Sequence, residues 1–162
     1  MKLVLTISSL LVVCICNNAT AQTKPKPLTG KVSLEKLSNK AKDYIAENYK
    51  GYKIKKAEYD PLCSGGDAID VSITKQKSKT YSLIFLLDGT FIQQETDVPF
   101  SEAPIEIGKA LKIKYADYTY SKQIEKLQLA DKSIQYLVDI SKGFVSKEVI
   151  FDAQGVVICE NW

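Results

Sequence analysis

Few residues in this chain could do chemistry, and the most suggestive stand together. Asp60, Cys63, Asp67 and Asp70 lie in and beside the loop DPLCSGGD, 60–67. Carboxylates around a Gly-Gly turn could offer oxygen ligands to Ca²⁺. Their spacing matches no EF-hand, and Asp in such a loop is first a turn former, so no metal site is assigned. Cys63 could act as a nucleophile or redox thiol if a neighbouring base lowered its pKa. The chain has no His, so that activation is missing; no catalytic residue, enzyme class or cofactor is assigned. Cys63 could instead pair with Cys159. Such a bridge would close a long loop and typically adds 2–4 kcal/mol, but two cysteines alone do not establish it, and two unpaired thiols are the preferred reading.

Two absences narrow the function further. All 22 basic residues are Lys; Arg is missing as well as His. Without imidazole, the His-based triads and the commonest metal sites are excluded. Without guanidinium, bidentate reading of guanine or phosphate is lost. A formal net charge of +3 is too small to draw an anionic partner, so nucleic acid is set aside.

The first residues set the compartment. Met1 to Ala21 has a Lys near its start, an apolar run over Leu3–Ile15, and Ala19-Thr20-Ala21 before Gln22. That is the pattern of a cleaved secretory signal. A retained anchor is disfavoured because a membrane span needs ~20 apolar residues. A lipoprotein signal at Cys14 or Cys16 is disfavoured because Val13 and Ile15, which precede them, are large. The expected location is periplasmic or secreted, with no stable membrane insertion after cleavage. Cys63 and Cys159 then remain as the two cysteines of the mature chain, in a compartment that permits a disulfide.

The rest of the chain must position these residues. Residues 22–32 carry Pro and Gly and little apolar content, as a flexible tether does. Ser33 is a candidate N-cap. Leu34, Leu37, Ala41, Tyr44 and Ile45 follow on one helical stripe, and Gly51 ends the helix. Strands are predicted over Tyr52–Tyr59, Ala68–Thr74, Tyr81–Leu87 and Thr90–Glu95, with a hairpin turn at Asp88-Gly89. Ser101 is a second N-cap candidate, with Pro104 in the first turn and a stripe at Ile105, Gly108, Leu111 and Tyr115. Strands follow over Lys122–Leu129, Ile134–Ile140, Phe144–Phe151 and Val156–Glu160. The helix-then-strands unit thus occurs twice, over 33–98 and 99–162. The spacing Ile54, Ala57, Tyr59 returns as Ile124, Leu127, Leu129, which predicts a β-bulge in both copies. The 60–67 loop is the main insertion relative to the second copy, and such departures from a repeat are often placed on a binding face. Trp162, the only Trp, is expected to cap the core edge.

YIAENYKGYKIKKAEYD, the strand ending LLDGTF and the closing VIFDAQGVVICENW resemble the PepSY-like exported proteins that share the β-lactamase-inhibitor-protein fold. The resemblance spans about 33–162. It implies an α+β fold: tandem α-β4 repeats forming one antiparallel sheet of about eight strands, with two helices packed on one face. It also implies no catalysis, and binding of another exported protein, inhibitor-like, through the open sheet face. No site residue is carried over from it. Candidates for the open face are Tyr118, Tyr120, Tyr136 and Phe144, with Lys53, Lys55 and Lys147, since Tyr and Lys on a flat sheet suit a contact surface. The same residues leave open an alternative, a binding module for an envelope glycan or small ligand.

Overall fold

A computed structural model describes residues 26–76 and 79–161. The signal segment and Trp162 lie outside the described residues. The described residues form one antiparallel sheet of ten strands with two α-helices. The strands are β1 (Gly30–Lys31), β2 (Lys53–Tyr59), β3 (Ala68–Thr74), β4 (Tyr81–Leu86), β5 (Phe91–Pro99), β6 (Thr119–Tyr120), β7 (Gln123–Leu129), β8 (Ile134–Lys142), β9 (Val145–Asp152) and β10 (Val157–Asn161). They are ordered β1-β2-β3-β4-β5-β7-β8-β9-β10, with β6 pairing β8. The count exceeds the expected eight because β1 and β6 are two-residue pieces.

Helix α1 (Asn39–Asn48) starts later than Ser33 predicts. Residues 33–36 close a separate turn, Lys36 N–H donating to Ser33 O at 2.9 Å, and Leu34 is 41% exposed. The cap is Ser38, whose Oγ accepts from Ala41 N–H at 3.2 Å, meeting one of the orphan donors of the first turn. Helix α2 (Ile105–Lys114) has Pro104 itself as N-cap, and Ser101 sits in a preceding 3₁₀ turn, Phe100–Glu102. Its buried stripe is Ile107, Leu111 and Tyr115, while Ile105 points outward.

The tether is shorter than expected. Leu28 N–H donates to Asp67 Oδ1 at 2.8 Å, β1 pairs β2, and Val32 is buried in the core. Apolar Val32 and the open edge of β2 together give this stretch a place to dock.

Two apolar clusters lie between sheet and helices. Leu37 together with Ala41 and Ile45 of α1 packs on Ile69, Val71, Ile73, Leu83 and Phe85. Ile107, Leu111 and Tyr115 pack on Val138, Ile140, Val149 and Phe151. Strand β5 shows that both helices occupy one side. Gln94 and Val98 have the same parity on it; Gln94 Oε1 accepts from Tyr49 OH beside α1 at 2.7 Å, and Val98 belongs to the second cluster.

The irregular apolar spacing has two different causes. In β2 the pairing with β3 shifts between Ile54 and Lys56, leaving Lys55 as the extra residue of a bulge. Strand β7 has no such shift: Gln123 to Leu129 pair β5 in unbroken register. The break falls upstream, at Ser121-Lys122 between β6 and β7. Ile124 and Leu127 therefore face opposite sides of the sheet, and both are buried.

Two turn glycines set the helices on the sheet. Gly89 (φ +86°) lies against Ser38 and Ala41 at the start of α1, and Gly155 (φ +75°) lies against Glu106 in the first turn of α2. A Cβ at Gly155 would stand 2.6 Å from Glu106 O.

Candidate functional site

The helix-free face is the place for a site. Alternation along β3, β8 and β9 sends Val71, Val138 and Val149 to the helices and Asp70, Asp139 and Glu148 to the other side. On β5 and β7 the same parity brings out Glu95 and Glu125. Ile84 and Leu127 also point this way and are buried, 1% and 0% exposed. The sheet centre is thus apolar on both faces, and carboxylates stand around the apolar patch.

The face is concave, and one crosslink makes this necessary. Cys63, in the β2–β3 loop, is bonded to Cys159 of β10, with Cα atoms 6.1 Å apart. The preferred reading of two unpaired thiols is corrected by this bond. Six strand-to-strand steps separate β3 from β10, which is ~29 Å across a flat sheet. The five residues from Cys63 to Ala68 span at most ~17 Å. The sheet must curl towards the loop, and Cys159, opposite Ile150 in the register, faces inward to meet it.

The result is a cleft of about 230 Å³ between loop and sheet. Asp60, Pro61, Leu62 and Cys63 form one wall; Ile84, Leu137 and Ile150 form the floor. Six of the fourteen lining residues are acidic (Asp60, Asp70, Glu95, Glu125, Asp139, Glu148) and none is Lys. Lys56 stands at the rim, bonded to Glu58 at 2.6 Å.

Crowded carboxylates taken out of water resist ionisation. Burial, then repulsion from Glu125, pushes Glu95 up to about 8, against the hydrogen bond from Gln93, which is 2.7 Å long. Burial, then Asp97, Asp139 and Glu148, pushes Glu125 up to about 7. Asp60, Asp70 and Glu148 are raised too, chiefly by burial. Asp60 adds to the repulsion at Glu95, Glu125 and Glu148 alike, which places the loop carboxylate over the face. Asp70 Oδ1 is buried without a hydrogen-bond partner among the described residues.

The face expected to carry Tyr and Lys is therefore acidic. Tyr136 is buried in the second core, 9% exposed, because its register partners Lys126 and Phe151 share the helix side. Tyr118 packs on that core, with Lys147 Nζ 5.7 Å from its ring centre. Lys147 is itself buried and bonds Glu160 at 3.3 Å; Glu160 also accepts from Tyr115 OH at 2.6 Å. Tyr120 rests on Phe100, ring centres 4.9 Å apart, on the helix side opposite Ile140. Phe144 is fully exposed in the turn between β8 and β9. Lys53, exposed and opposite Thr74, sits at the β2 edge of the open face, and Lys55 is the bulge residue. None of these lines the cleft. Of the three loop carboxylates, Asp60 and Asp70 reach the cleft, while Asp67 holds Leu28. Among the described residues no His, Cys, Asp or Glu group has the geometry to hold a metal ion. Sequence reasoning missed Glu95, Glu125, Asp139 and Glu148; the signal for them was the polar half of each strand's alternation.

No family model matches the chain, and no curated protein matches its sequence. Solved structures do match its fold. A DUF2874 family protein from Bacteroides uniformis superposes with a TM-score of 0.54 at 12% identity, covering 76% of this chain and 87% of its own. A BLIP-like protein from Bacteroides fragilis gives 0.52 at 15% identity, covering 76% and 84%. A candidate periplasmic protein from Bacteroides eggerthii gives 0.54 at 11%, covering 76% and 86%. The fold is BLIP-like, α+β, with an open antiparallel sheet and two helices. No helix among the described residues is long and apolar enough to cross a membrane.

Proposed function

We propose that this is an exported, non-catalytic protein that recognises another exported protein through the concave face of its sheet, in the manner of an inhibitor. The observation that carries this reading is the cleft: six carboxylates around an apolar floor, no lysine in the lining, in a chain whose net charge is +3. Such a segregated field selects a partner by charge and speeds its approach. The partner presents a basic loop with an apolar residue at its tip. The BLIP-like neighbour supports the class of function by analogy of fold only. The candidate periplasmic neighbour and the secretory signal pattern support export. The equivalent seats of Gly89 and Gly155 against the two helix starts support a tandem origin for the two halves.

This reading is favoured over the glycan alternative because the cleft lining contains no aromatic side chain on which a sugar could stack. Affinity capture from the native envelope tests the proposal. The mature chain is expected to retain one dominant protein, released by salt. An Asp60→Asn, Asp139→Asn, Glu148→Gln variant, which neutralises three other carboxylates of the lining, is expected to lose it. Equal retention by both chains would place any interface elsewhere.

A further inference from the structure

The 60–67 loop is both a wall of the cleft and one end of the crosslink to β10. Among the described residues, its backbone hydrogen bonds stay at its own end of the sheet. Asp60 N–H donates to Ala68 O at 3.0 Å, Leu62 N–H to Gly66 O at 3.0 Å and Gly65 N–H to Leu62 O at 2.8 Å. Asp67 is tied to Leu28. The loop tip is thinly packed: Ser64, Gly65 and Gly66 are exposed, and no heavy atom lies within 4 Å of a Cβ built on either glycine. Its carboxylate, Asp60, faces other carboxylates, which repel it. The bond to Cys159 is the loop's covalent tie to the far edge of the sheet, and the field between Asp60 and the facing carboxylates opposes it. Both cysteines are partly exposed, so a reductant can reach them.

We propose that the Cys63–Cys159 bridge is a redox latch: closed, it holds the 60–67 loop over the acidic cleft; reduced by a dithiol, it frees the loop and opens the face to a cationic partner. The opening rests on geometry alone; the partner rests on the function proposed above. In the exchange, one thiolate of the dithiol attacks a bridge sulfur, forming a mixed disulfide and releasing the other cysteine as thiolate. The second thiolate of the dithiol then displaces the first cysteine. Two electrons and two protons pass to Cys63 and Cys159, and the dithiol leaves as a disulfide. Reoxidation by a disulfide donor reverses the balance. With the bridge gone, the far edge of the sheet loses its covalent tie to the loop, and Glu95 and Glu125 meet solvent and partner directly.

Carboxyl footprinting separates the two parts. The mature chain is labelled with carbodiimide and glycinamide, oxidised, reduced and alkylated, or as Cys63→Ser, Cys159→Ser. Labelling at Glu95 and Glu125 is read by peptide mass spectrometry, and fluorescent octalysine reports binding to each form. Labelling is expected to rise severalfold on reduction and in the double variant, with tighter octalysine binding. A Cys159→Ser chain in which residues 61–66 are replaced by Asn-Gly is expected to label as heavily as the reduced protein. Unchanged labelling on reduction, or a shortened loop that labels like the oxidised protein, would overturn the latch. Loss of the cooperative melt in the double variant would overturn it too, since the bridge would then be a staple of the fold. Greater labelling with unchanged octalysine affinity would leave the latch standing and defeat the cationic-partner reading.

Discussion

Glu95→Gln removes the most crowded charge of the cleft while keeping its shape. A glutamine oxygen can still accept from Gln93 Nε2, as Glu95 Oε1 does at 2.7 Å. In the folded protein this carboxyl titrates at about 8 instead of 4.5. Below pH 4.5 folded and unfolded chains both hold the proton, so the carboxyl shifts stability little. As pH rises from 4.5 through about 8 the unfolded chain releases a proton that the folded one retains, and stability falls. Above that window the deficit is constant. At ~1.4 kcal/mol for each tenfold change in proton affinity, the displacement sets an upper bound of ~5 kcal/mol. Part of it is repulsion shared with Glu125, and relaxation of the loop reduces it further, so about 2–3 kcal/mol is expected. For a domain of this size that is a gain of roughly 5–10 °C in Tm. Melts of the parent chain, Glu95→Gln and Glu125→Gln from pH 4 to pH 9 test it. Glu95→Gln should melt with the parent at pH 4 and clearly above it at pH 9, and the double variant should gain less than the sum. An equal gain at both pH values, or none at pH 9, would refute the burial of this charge.

Two further substitutions probe the frame. Gly155→Ala would strain a left-handed backbone position and press a methyl onto Glu106 O; a loss of about 2–3 kcal/mol in denaturant melts is expected, against about 1 kcal/mol for Gly143→Ala, which meets left-handed strain alone because its surroundings are open. Tyr115→Phe removes the bond that, with Lys147, holds the Glu160 carboxyl below its ordinary range. A loss of about 1 kcal/mol at pH 7 is expected, shrinking as pH falls through the Glu160 titration, and an NMR titration of that carboxyl should move upward.

Much of the architecture was legible because alternation in the long strands is strict. Ile69, Val71 and Ile73 against Asp70, Ser72 and Thr74 fixes both the strand and its buried face. The helix starts were less legible, since Ser33 and Ser38 both precede apolar residues, and only the exposure of Leu34 tells them apart. The side chains of the open face were misassigned for a related reason. Identical apolar spacing came from a bulge in β2 and from a two-faced strand in β7, so the faces of β8 and β9 could not be fixed from it. Tyr136 and Lys147 thereby went to the wrong side. Polar and charged side chains are usually read as solvent-facing, yet Lys147 is buried among Tyr118 and Glu160. The curl of the sheet is a tertiary property, and Cys63 and Cys159 hinted at it only as a possible pair.

The measurement closest to the central claim is position-resolved photo-cross-linking in the native envelope. A photo-reactive side chain placed at Leu137, on the cleft floor, is compared with one at the exposed Lys112 on α2. Cross-linking of one protein from position 137, abolished by Asp139→Asn together with Glu148→Gln, is the result predicted for an acidic binding face. The same protein cross-linked from position 112 and not from 137 would contradict it.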